Sequence, residues 1–128
     1  ATASSPVVLA AVDPANPYGA ALDWPSTHEQ AANAKARPGR KAGAVVVLLD
    51  GELVTYMERG GRTLLVFTDD ELLLDTAAAA LTTRLRKAKT GRLAVERVNG
   101  EPVLQHRFGQ SLRQAGFHSS PSGLRFSA

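Results

Sequence analysis

Cysteine is absent from this 128-residue chain. That removes disulfides, thiol nucleophiles and cysteine-ligated zinc from consideration. Isoleucine is absent as well, while Ala, Leu and Val number 21, 16 and 11. Aromatic residues are few, at one Trp, two Tyr and four Phe. A base-stacking platform would therefore have to draw on very few rings, with Tyr18 and Trp24 the loop candidates. No apolar run approaches the roughly 20 residues of a membrane span, and no basic stretch leads into an apolar one near the start. No signal peptide and no membrane partner are expected, and the expected location is cytoplasmic. There is no Gly-x-Ser-x-Gly elbow, no Walker loop and no Gly-x-Gly-x-x-Gly, so ATP binding by this chain is not expected. His28, His106 and His118 fit no zinc spacing. Neither a metal nor a cofactor is expected.

What is present suits one globular domain. Hydrophobic residues make up 44% and charged residues 21%, both ordinary for such a domain, and the length allows one core. The net charge of +3 is unevenly spread. Residues 1–34 carry three acids and no Lys or Arg, whereas 35–41 carry Lys35, Arg37, Arg40 and Lys41. Residues 42–83 hold seven acids against Arg59 and Arg62. Residues 84–128 hold nine basic residues against Glu96 and Glu101, a local balance of +7. Such asymmetry points to an anionic partner for the C-terminal part or to a solvated face that balances the acidic middle.

Punctuation along the chain is clear in places. Val7 to Val12 suits a buried strand. Asp13-Pro14-Ala15-Asn16-Pro17-Tyr18-Gly19 then breaks regular structure. Residues 26–43 are polar, Ala-rich and basic, and read as a flexible segment with a helical stretch at 28–36. Ala44 to Leu49 is a β-rich run, and Asp50-Gly51 is a two-residue hairpin signal. Gly60-Gly61 marks a second turn, completing a three-strand meander at 44–67. Strict alternation places Leu53 and Met57 on one face of the middle strand and Val54 and Tyr56 on the other, so both faces should be covered. Thr68-Asp69-Asp70-Glu71 reads as a capping box opening a helix over about 69–89. Its apolar face is Leu74, Ala77, Ala78, Leu81, Leu85 and Ala88. Arg92 to Val98 reads as a fourth strand, and Asn99-Gly100 as another hairpin leading to Pro102-Val103-Leu104. A short helix over about 106–115 and a last strand from Leu124 close the pattern. The fold class expected is α+β: an antiparallel, barrel-like sheet with two helices.

Two clusters carry chemical interest. Asp69, Asp70, Glu71 and Asp75 could serve acid–base work or hold magnesium, but a helix start already accounts for them. The cations Arg84, Arg86, Lys87, Lys89, Arg92 and Arg97 are the leading candidates for phosphate contact. Arg37, Arg40 and Lys41 join them from the flexible segment.

The run Leu9-Ala10-Ala11-Val12-Asp13-Pro14-Ala15-Asn16-Pro17-Tyr18-Gly19-Ala20-Ala21-Leu22-Asp23-Trp24-Pro25 is distinctive. So are Arg37-Pro38-Gly39-Arg40-Lys41-Ala42-Gly43 and Glu58-Arg59-Gly60-Gly61-Arg62-Thr63-Leu64-Leu65. Val95-Glu96-Arg97-Val98-Asn99-Gly100-Glu101-Pro102-Val103-Leu104 and Leu112-Arg113-Gln114-Ala115-Gly116-Phe117 follow in order. Together they resemble the C-terminal region of the Lhr family, the large helicase-related proteins of bacteria, over nearly the whole chain. The resemblance implies a parent that is an ATP-dependent, 3′-to-5′ DNA helicase linked to DNA repair, with its motor upstream. It implies a barrel-like end to a long extension of winged helices, as in a class of DNA glycosylases. It also allows uracil-DNA glycosylase activity in that extension through an acid near the extreme C-terminus. Residues 124–128 hold no acid, and no such activity is expected of this chain alone. The function expected is a non-catalytic accessory domain over 1–128 that contacts single-stranded DNA without reading sequence or docks onto upstream domains. The alternatives are a self-association module forming a homo-oligomer, or part of a glycosylase-like site completed upstream.

Overall fold

The structure, a computed structural model, describes residues 6–25, 38–88 and 92–127. The helical stretch expected at 28–36, together with Arg37 and Lys89, lies outside the described residues. In chain order the elements are β1 (Pro6–Ala10), β2 (Val45–Leu49), β3 (Glu52–Met57), β4 (Thr63–Val66) and α1 (Glu71–Lys87). There follow β5 (Arg92–Val95), β6 (Arg97–Val98), β7 (Glu101–Pro102) and a 3-10 turn at Val103–Gln105. The chain finishes with α2 (Arg107–Ala115), β8 (His118–Ser120) and β9 (Gly123–Ser127). The α+β class holds. The barrel does not: the strands form two open sheets, ordered β1-β2-β3-β4-β6-β7 and β5-β9-β8.

The reason lies in the run read as one fourth strand. It breaks at Glu96 and gives its halves to different sheets. Arg92–Val95 pairs antiparallel with β9, whereas Arg97–Val98 lies parallel to β4. The Glu96 and Arg97 amides both donate to the Arg62 carbonyl, at 2.8 and 3.2 Å, which pins the break. Beyond it, Asn99 takes a positive φ of 53° in its turn. Its side-chain amide donates to the Val66 carbonyl at 3.2 Å and accepts from the Val66 amide at 3.0 Å. A side chain thus supplies the two hydrogen bonds that a longer strand would have made.

The meander forms where expected, with Asp50 and Gly51 at φ of 52° and 84°, as a type I′ turn requires. Its side-chain arrangement departs from strict alternation. Val47 faces Thr55 and Leu48 faces Leu53, so Val54 is an extra residue in β3. This bulge reverses the parity of what precedes it. Val54 joins Met57 on one face, and Leu53 joins Tyr56 on the other. Both faces are covered. Helix α1 covers the first, in a core that also takes Leu93, Val95, Phe108, Leu112, Phe117, Leu124 and Phe126 from α2 and the small sheet. The loop after β1 covers the second, where Leu9, Ala11, Tyr18 and Trp24 pack against Val46, Leu53, Tyr56 and Leu65.

Helix α1 starts two residues later than the capping box implies. Asp70 is the N-cap, accepting from the Leu72 and Leu73 amides at 2.9 and 3.2 Å, while Thr68 accepts only from the Asp70 amide. Leu74, Ala77, Ala78, Leu81 and Leu85 are buried as the spacing predicts, whereas Ala88 is the exposed C-cap. Helix α2 has an N-cap that composition did not suggest: His106 Nδ1 accepts from the Phe108 amide at 3.0 Å. The two helices lie side by side in the same direction. Glu71 and Asp75 of α1 face Arg107 and Ser111 of α2 in the same order. No helix among the described residues is long and apolar enough to cross a membrane.

Candidate nucleic-acid interface

A cation held by its own fold has fewer donors to offer a phosphate. Most of the cations singled out in the sequence are engaged. Arg40 Nη1 donates to the carbonyls of Asn16 and Tyr18 at 2.8 and 3.1 Å. Its Nη2 donates to those of Val12 and Asp13 at 3.3 and 3.2 Å. One guanidinium therefore collects four backbone carbonyls of the loop that covers the sheet, a use of the planar fork that Lys cannot copy. Lys41 pairs with Glu58 at 3.2 Å. Arg84 donates from α1 to the Val8 carbonyl of β1 at 3.0 Å, which blunts that edge strand. Arg86 holds its guanidinium carbon 5.8 Å from the centre of the Phe126 ring, within cation–π range. Arg97 donates to the Gly100 carbonyl at 3.1 Å. Lys87 and Arg92 are exposed and, among the described residues, make no such bond.

Three of the four clustered acids are engaged too. Asp70 caps α1. Arg107 donates to Glu71 at 2.9 and 3.1 Å and lies 3.6 Å from Asp75. The Ser111 hydroxyl completes the cluster with a 2.6 Å hydrogen bond to Asp75. Both carboxylates therefore join the helices to each other. Among the described residues no group of three His, Asp or Glu side chains could hold a metal. Tyr18 and Trp24 are likewise part of the fold. Their rings lie 6.1 Å apart, and Trp24 meets Tyr56 edge-on at 5.7 Å. The Tyr18 hydroxyl ties the loop to the hairpin, donating to the Gly51 carbonyl at 3.3 Å and accepting from the Leu53 amide at 3.2 Å.

Three further residues were not selected from sequence: Arg113, His118 and Arg125. Arg113 and His118 line one groove, with Gln110 and Gln114 from α2 and with Phe117 and Ser119. His118 stands directly across from Arg125 in the β8–β9 pairing, and Arg125 from Ala94 in the β9–β5 pairing. All three are exposed. Among the described residues neither arginine makes an ion pair or a side-chain hydrogen bond. Local alternation of Arg125 with buried Leu124 and Phe126 could have marked it as outward. The tight turn at residues 121–122 between β8 and β9 is what places it beside His118.

No family model matches the chain. Two curated proteins do. Over 126 residues the chain is 48% identical to a protein of Mycolicibacterium smegmatis described as Lhr helicase/probable uracil glycosylase. That match takes in 93% of the chain and 8% of the relative. Over 121 residues it is 44% identical to the Lhr helicase/uracil glycosylase of Escherichia coli, covering 94% of the chain and 8% of that protein. The chain thus spans about 8% of the length of the curated relatives it matches.

Proposed function

We propose, on the premise that the chain belongs to the Lhr helicase family as a short segment of such a protein, that it is a C-terminal accessory unit contacting DNA without catalysing a reaction itself. The parent supplies ATP-driven movement on DNA, and this unit adds affinity for the phosphate backbone. The observation that supports the reading is the excess of basic residues over 84–128, nine against Glu96 and Glu101. Part of that charge remains unengaged on the surface. From the set singled out in the sequence, Lys87 and Arg92 carry over as contacts. Arg40, Lys41, Arg84, Arg86 and Arg97 also make contacts within the fold, which leaves them fewer donors for phosphate.

Phosphate contact of this kind is sequence-independent and steeply salt-dependent, because bound phosphates release counterions. Each phosphate neutralised on a single strand contributes about −0.7 to the slope of log K against log salt. Three or four contacts give a slope of roughly −2 to −3. Fluorescence anisotropy with labelled single strands of two unrelated sequences, titrated with the chain over a range of sodium chloride, measures it. Equal affinities and a slope in that range support the reading. Absence of binding at low salt overturns it in favour of docking onto upstream domains.

A further inference from the structure

We infer that the outward face of the small sheet, continued into the groove beside α2, is a track for single-stranded nucleic acid. Its contacts are Arg92, Arg113, His118 and Arg125. The inference rests on the reading that this chain contacts DNA and gives that contact a place and a substrate form.

Alternation along the strands sets the two faces of the small sheet. Leu93, Val95, Leu124 and Phe126 turn inward and are buried. Arg92, Ala94, Arg125 and His118 take the opposite parity and turn outward. His118 and Arg125 are direct cross-strand partners, which puts their Cβ atoms about 5 Å apart. Arg92 lies two residues from Ala94, the partner of Arg125 across the other pairing, so Arg92 and Arg125 are diagonal neighbours at about 7–8 Å. His118 also lines the groove that holds Arg113. The four residues therefore form one continuous line from β5, across β9 and β8, to α2.

Like charges placed side by side on a sheet are destabilising. Here no carboxylate among the described residues pairs with the three arginines. An external polyanion would relieve that repulsion. The face also lacks what a protein partner would need: its central outward residue is Ala94, and every large apolar side chain on these strands turns inward. Protein interfaces keep an apolar core, whereas nucleic-acid interfaces are polar and strongly basic. The choice of a single strand follows from the groove. Gln110 and Gln114 offer amide donors and acceptors beside Arg113, and Ser119 a hydroxyl. Such groups suit the hydrogen-bonding edges of unpaired bases, which a duplex hides.

The test compares the unchanged chain with three variants by anisotropy, using labelled oligothymidylate, a duplex of equal length and polyglutamate as competitor. The first variant is Arg92→Gln/Arg113→Gln/Arg125→Gln. The second replaces the same residues by Lys. The third, Lys41→Gln/Arg59→Gln, removes charge from residues outside the track. The glutamine triple is expected to flatten the salt slope on oligothymidylate by about 2, three contacts at about 0.7 each. The lysine triple and the Lys41/Arg59 double are expected to keep the slope. All three arginine positions are exposed, and retention of binding by the lysine triple shows that the surface can be altered without loss of fold. If the glutamine triple binds with the original slope, the track is wrong while DNA contact stands. If the unchanged chain does not bind at low salt, DNA contact itself fails and the track with it. Tighter binding of the duplex overturns the commitment to single strands, and displacement by polyglutamate at equal charge concentration overturns nucleic acid as the partner.

Discussion

Arg40 shows how far a residue's chemistry depends on what the fold brings within reach. In the sequence it is one of several cations near Pro38-Gly39, indistinguishable from a phosphate contact. In the structure its guanidinium gathers four carbonyls of the 12–18 loop. Hydrogen bonds from a charged donor contribute more than neutral ones, and unsatisfied carbonyls are costly where they are shielded. Arg40→Met, which keeps an apolar stem, is expected to destabilise the chain by roughly 2 kcal/mol, read as a lower urea midpoint, and to leave the salt slope of DNA binding unchanged. An unchanged midpoint with a flatter slope would return Arg40 to the nucleic-acid surface. Tyr56 makes a second residue-scale case. Burial pushes its phenol up to about 12, helped by the Glu58 carboxylate. The unfolded chain loses that proton near pH 10. Between about pH 10 and 12 the unfolded state therefore binds fewer protons than the folded one, and stability falls as pH rises. In Tyr18→Phe, which leaves Tyr56 as the sole tyrosine, absorbance at 295 nm should report ionisation near pH 12 in native protein and near 10 in urea. Equal midpoints would show that the phenol is not held by burial.

At the scale of elements, helices and turns were largely legible because their signals are local. Asp50-Gly51 and Asn99-Gly100 demand positive φ and received it. The apolar stripe of α1 needed only helical spacing. Misread features are those in which adjacent residues offer equivalent chemistry or a distant partner decides. Thr68, Asp69 and Asp70 are three capping residues in a row, and only the path of the preceding strand selects Asp70. The distinction is measurable. Asp70→Ala is expected to cost about 1 kcal/mol as the loss of an N-cap, whereas Thr68→Ala should cost a few tenths. Thermal denaturation of both variants ranks them, and the reverse order would restore the capping box. The β3 bulge has a similar origin. A run of apolar residues of both parities permits one extra residue at any point, and it is the register with β2 that puts it at Val54. The division at Glu96 depends on the Arg62 carbonyl, more than 30 positions earlier in the chain, which no local pattern encodes. The same holds for part of the candidate site: engagement of Arg84 by Val8 joins residues 76 positions apart, whereas His118 and Arg125 meet in a tight hairpin that is local in sequence.

For the molecule as a whole, the layers decide whether the chain behaves as one unit. The six-stranded sheet carries the loop and Trp24 on one face, and α1, α2 and the small sheet on the other. The second face is a single core, since Val47, Leu64, Leu81, Phe108 and Phe126 belong to one buried cluster. Such continuity predicts that damage at α2 is felt on the far side of the large sheet, although α2 packs in the core of the near side. Phe108 is fully buried, and Phe108→Ala should cost about 3–5 kcal/mol through lost burial and the cavity left behind. That is a large share of the 5–15 kcal/mol typical of a domain. Trp24 is the sole tryptophan and reports the opposite layer, whereas far-UV ellipticity reports both. In urea, the two signals should move together in the unchanged chain and should shift together, to lower urea, in Phe108→Ala. If the Trp24 transition stays in place while the ellipticity moves, the layers unfold independently. The open sheets would then be two stability units joined by the break at Glu96, and the basic track on the small sheet would ride on the weaker of them.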